Sequence, residues 1–128
     1  MNSFESRIEK DLIKIDTVVD HPYIEHGINL SGTIYIEGLE QEEEELVDIR
    51  LEVCKKESRE LIAKQSHEPV GNPASKGMLM IPFEIMPDER WMPEEGEEAT
   101  RLTLTTTAFF SDGSSLTDED DIIFDVEE

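Results

Sequence analysis

Residues Leu79 to Pro87 read Leu-Met-Ile-Pro-Phe-Glu-Ile-Met-Pro, the most concentrated apolar run in the chain. Leu79, Ile81, Phe83 and Ile85 fall at every second position, so a strand here turns all four onto one face. Pro82 and Glu84 turn to the other face. Proline has no backbone N–H to give to a ladder, so the segment is expected at a sheet edge or at a bulge. A core-building strand with one missing donor constrains the architecture more than any other stretch.

The remaining segments repeat the period of two. Ile13, Ile15, Thr17 and Val19 alternate with Lys14, Asp16 and Val18 until His21-Pro22 breaks the run. In Ile28 to Gly38, Ile28, Leu30, Ile34 and Ile36 share one face, and Gly32 marks a bulge or a close backbone approach. Leu46 to Lys55 predicts Val47, Ile49, Leu51 and Val53 inward, with Asp48, Arg50 and Glu52 outward. Leu61 to Gln65 suits a short strand or a helical turn, and Ser66 to Gly77 is a loop rich in proline and glycine. Arg101 to Phe110 sets Leu102, Leu104, Thr106, Ala108 and Phe110 against Thr103, Thr105, Thr107 and Phe109. Ile122 to Val126 closes the series.

One helix is predicted. Phe4, Ile8 and Leu12 recur at four-residue spacing over residues 3 to 12, with Asn2 or Ser3 as cap and Glu5 in the first turn. About seven short strands separated by turn signals make an all-β chain, expected to be an antiparallel β-sandwich. A length of 128 residues fits a single domain, 1–128, able to bury a real core.

Charge narrows the partners. The formal net charge is −21, from 32 acidic against 11 basic side chains. Such a field repels nucleic-acid phosphates and anionic lipid, and it leaves a basic protein surface or a metal cation. Cys54 is the single cysteine, so no intrachain disulfide forms. It is read as an ordinary half-exposed thiol, with Lys55 and Lys56 beside it able to make it more acidic. No run approaches the ~18–20 apolar residues of a membrane span, and Met1 to Leu12 carries no apolar signal core. A cytoplasmic setting is the expectation.

The sequence shows no phosphate loop, no nucleophile elbow, no zinc-protease motif and no paired cysteines, so neither an enzyme nor a cofactor is expected. His21, His26 and His67 fall in predicted turns and are read as solvent-exposed. Three features compete as binding sites. Asp118, Asp120 and Asp121, in a predicted loop near Asp112, are the candidates for calcium, although their spacing is not that of an EF-hand. Glu42, Glu43, Glu44 and Glu45, within the run Glu40 to Glu45, are read chiefly as a solvated turn and secondarily as an acidic docking face. Met78 and Met80, on the face opposite Leu79, join Pro82, Trp91, Met86 and Met92 in an adaptable apolar patch beside an incomplete edge.

Several of these stretches, in their order and spacing, resemble a known family. Lys14 to Val19, Gly27, and Leu30-Ser31-Gly32-Thr33-Ile34-Tyr35-Ile36-Glu37-Gly38 are similar to the opening of the arrestin-like sporulation-control proteins of bacteria. Ile81-Pro82-Phe83-Glu84-Ile85-Met86-Pro87 resembles that family's Ile-Pro-Phe strand. Thr105-Thr106-Thr107, with Leu116 to Asp120 and Ile122, resembles its threonine strand and aspartate-rich ending. His26-Gly27 stands where Pro-Gly is usual, the glutamate run is longer, and the match covers about the N-terminal half of a usual member. The resemblance implies an arrestin-like, immunoglobulin-type sandwich acting by protein contact in sporulation or cell-envelope and division control, without catalysis.

The expected function is therefore a non-catalytic adaptor that binds a protein through an edge strand or an acidic face. An open edge also admits a homodimer. The alternative is a calcium- or small-ligand-binding sandwich.

Overall fold

The computed structural model describes residues 13–25, 28–38, 46–68, 78–93 and 95–125. Their strands are β1 (Lys14–Val19), β2 (Tyr23–Glu25), β3 (Leu30–Glu37), β4 (Leu46–Lys55), β5 (Leu61–His67), β6 (Met78–Ile85), β7 (Ala99–Phe110) and β8 (Ser115–Asp125). They form a three-stranded sheet, β1-β3-β6, and a five-stranded sheet, β2-β8-β7-β4-β5. Among the described residues there is no α-helix, only a 3-10 turn at Glu89–Trp91. The helix expected over residues 3 to 12, His26 and the glutamates at 42 to 45 lie outside the described residues.

Alternation produces the core. Leu30, Ile34 and Ile36 from one sheet meet Ile49, Leu51, Val53, Leu102, Leu104, Ile122 and Phe124 from the other in one buried cluster. Full burial of each such side chain stabilises the fold by roughly 1.5–3 kcal/mol. Two sheets closing on one apolar interior define a β-sandwich.

β6 is an edge strand, one of the two placements that Pro82 allows. Its ladder with β3 runs without a shift from Leu30↔Ile85 to Glu37↔Met78, with Pro82 opposite Thr33, so the proline is accommodated without a bulge. Phe83 and Ile85 are buried, and Leu79 and Ile81 pack against the core. Gly32 marks a close approach. A Cβ there would lie 2.4 Å from the Val18 carbonyl oxygen and 2.9 Å from Cζ of Phe83. The missing side chain lets the Phe83 ring lie over the backbone.

Several expectations are corrected. The sandwich is mixed, because β2 runs parallel to β8, with Ile24 beside Phe124. Three residues are too few to show a period, but Ile24 is fully buried and anchors this strand. The acidic run Asp118 to Asp121 lies inside β8 rather than in a loop. Val47 is 48% exposed because a bulge between Leu46 and Asp48 shifts the register. Ile28 stays outside β3 and exposed. His67 ends β5 instead of lying in a turn. Cys54 is half-buried, and its thiol is pushed up by burial and then by Glu52, so Lys55 and Lys56 do not make it more acidic.

Candidate functional site

Beyond Ile85 the chain leaves the sheet and folds back on the end of the sandwich. Asp88 caps the 3-10 turn: its Oδ1 accepts from the Arg90 amide at 2.9 Å, and its Oδ2 accepts from the Arg90 guanidinium at 2.8 Å. This hydrogen bonding by Arg90 holds the Asp88 carboxyl below its ordinary value. The capped turn aims Trp91 inward. It is fully buried and stands edge-on to Phe124, ring centroids 5.9 Å apart. Trp91 thus belongs to the core and presents no docking surface of its own.

The residues on either side face the other way. Met86 is 75% exposed and Met92 39%. With Asn29, Pro87, Asp88, Glu89 and Phe124 they line a groove of about 580 Å³. The methionines give it an apolar surface over the buried Phe124 ring, and Asp88 and Glu89 give it acid. The Asn29 amide donates to Glu84 Oε2 at 2.7 Å, tying the chain before β3 to the end of β6. Sequence reading had grouped Met86, Met92 and Trp91 but had missed Asn29 and Phe124. By its alternation with Ile122 and Val126, Phe124 reads in the sequence only as an inward-facing strand residue.

The open edge of β6 is a second surface. Met80 is 59% exposed and Pro82 is exposed, as their parity required. Met78 opens the strand opposite Glu37. The edge is partly engaged by its neighbour: Gln65 Nε2 of β5 donates to the Glu84 carbonyl at 3.0 Å, and Gln65 Oε1 meets the His67 ring at 2.8 Å.

The aspartates of β8 do not converge on a cation. Alternation splits them: Asp121 turns outward and pairs with Lys56 at 3.1 Å, while Asp118 and Asp120 take the opposite face. Asp118 Oδ2 accepts the Thr17 amide of β1 at 2.9 Å. Asp120 is pushed up to about 6, first by burial and then by the charge of Asp118 and a hydrogen bond with it, with smaller effects of Asp16 and Asp121. Among the described residues no group of three or more His, Cys, Asp or Glu is placed to hold a metal ion.

Fold and surfaces together define a two-sheet β-sandwich with an apolar groove at one end. Among solved structures, it is similar to Spo0M, a sporulation control protein from Bacillus subtilis, with a TM-score of 0.56 and 18% identity over 91% of this chain. A second likeness is to the Pseudomonas fluorescens alkylpurine DNA glycosylase AlkC bound to DNA containing an abasic site analog. That match has a TM-score of 0.56 and 13% identity over 90% of this chain. The chain spans 50% of the Spo0M chain and 31% of the AlkC chain. No family model matches it, and no curated protein matches it in sequence. No helix among the described residues is long and apolar enough to cross a membrane.

Proposed function

We propose that this chain is a non-catalytic, arrestin-like regulatory module that acts in the cytoplasm by binding another protein, in sporulation or cell-envelope and division control. The fold likeness to Spo0M over 91% of the chain carries this reading. The surface accords with it: exposed methionines lie along and just beyond an edge strand, in a chain of net charge −21. AlkC has the same fold likeness, but a field of this sign disfavours a DNA backbone, so a protein partner is the better reading.

Affinity capture from the source organism tests it. The expected result is retention of a discrete protein, weakening steeply with added salt if the acidic surface carries the contact. Failure to retain any protein at low salt would contradict the proposal.

A further inference from the structure

We infer that the groove between Met86 and Met92 is the docking site, and that it takes a segment with an apolar anchor flanked by lysine or arginine. This rests on the reading of the chain as a protein-binding module. Met86 and Met92 project into solvent from the two ends of a segment pinned by the Asp88 cap and the buried Trp91. Phe124, buried beneath the groove, supplies a firm base held in T-shaped contact with Trp91. Two flexible thioether side chains over a rigid aromatic floor suit a partner's leucine or phenylalanine.

Charge chooses among occupants. Glu89 and Asp88, the latter paired with Arg90, are exposed on the rim. A basic flank complements these carboxylates and the −21 field around them. A second copy of the chain brings the same field into contact with itself, and anionic lipid is repelled in the same way. The groove therefore fits a heterologous basic segment.

Trp91 is the single tryptophan and touches the groove floor, so its fluorescence reports occupancy. Three hexapeptides serve as probes: Leu-Phe between two pairs of lysines, Ser-Ser between the same lysines, and Leu-Phe between two pairs of glutamates. Only the first is expected to give a saturable change. Met86→Ser should weaken it about tenfold, as loss of one apolar anchor implies. Glu89→Lys should weaken it several-fold through the flank, and both sites are exposed, so the fold is kept. Equal binding of the serine peptide, or unchanged affinity in both variants, overturns the assignment. So does a dimer in sedimentation that Met86→Ser dissolves. If the chain captures a cellular protein equally well with and without Met86, the groove is wrong while the protein-binding reading stands.

Discussion

The backbone amide of Thr17 donates to the carboxylate of Asp118 at 2.9 Å, joining the edge of the smaller sheet to a strand of the larger one. The Thr17 hydroxyl adds a buried bond to Thr106 Oγ1 at 2.8 Å. Beside this seam, Asp120 Oδ2 is buried without a partner in its ionised form.

That arrangement fixes a pH dependence. Asp120 is pushed up from 3.8 to about 6 in the folded state, so the fold holds a proton that the unfolded chain gives up. The resulting stability is present in full below about pH 4 and is lost as pH rises through about 6. Because Asp120 is only partly buried, solvent screening reduces the effect to about 1 kcal/mol. Asp120→Asn should match the parent near pH 4 and exceed it by about that amount at pH 7.5. Denaturant melts at the two pH values check this, and equal slopes in both proteins would contradict it.

Gly32→Ala should cost about 1–3 kcal/mol, because its Cβ meets the rigid Val18 carbonyl at 2.4 Å as well as the Phe83 ring. The measurement is a urea midpoint. A loss below about 0.5 kcal/mol would mean that β1 and β6 yield easily around β3.

Trp91→Ala should cost about 3–5 kcal/mol, the range for emptying a large aromatic site in a core. Met80→Ser, at an exposed position, should stay within about 0.5 kcal/mol. Comparable losses in the two variants would reverse their assignment to core and surface.

Period two was enough to read β1, β3, β4, β6 and β7, and Pro82 narrowed β6 to an edge or a bulge. The first half of β8 stayed hidden because Asp118 to Asp121 reads as solvated charge. Yet Leu116, Asp118, Asp120 and Ile122 keep the parity of Phe124, and that signal was available. Asp118 is tolerated inward because a backbone donor from β1 meets it there, a tertiary fact with no local trace. The groove was half legible. The methionines and Trp91 stood out by type, but the Asp88 cap decides which of them turns inward.

Stability should also rise with added salt, since −21 charges on one small domain repel one another. A thermal melt from low to molar sodium chloride checks this, and a flat melting temperature would contradict it.

Docking at the sandwich end is tested most directly by photo-crosslinking in the source organism. A benzophenone amino acid is placed at Met86, with Thr117, exposed on β8 away from the groove, as the control. The expected result is a discrete protein adduct from position 86 and none from position 117. No adduct at 86, or the same adduct from both positions, would contradict docking at this groove.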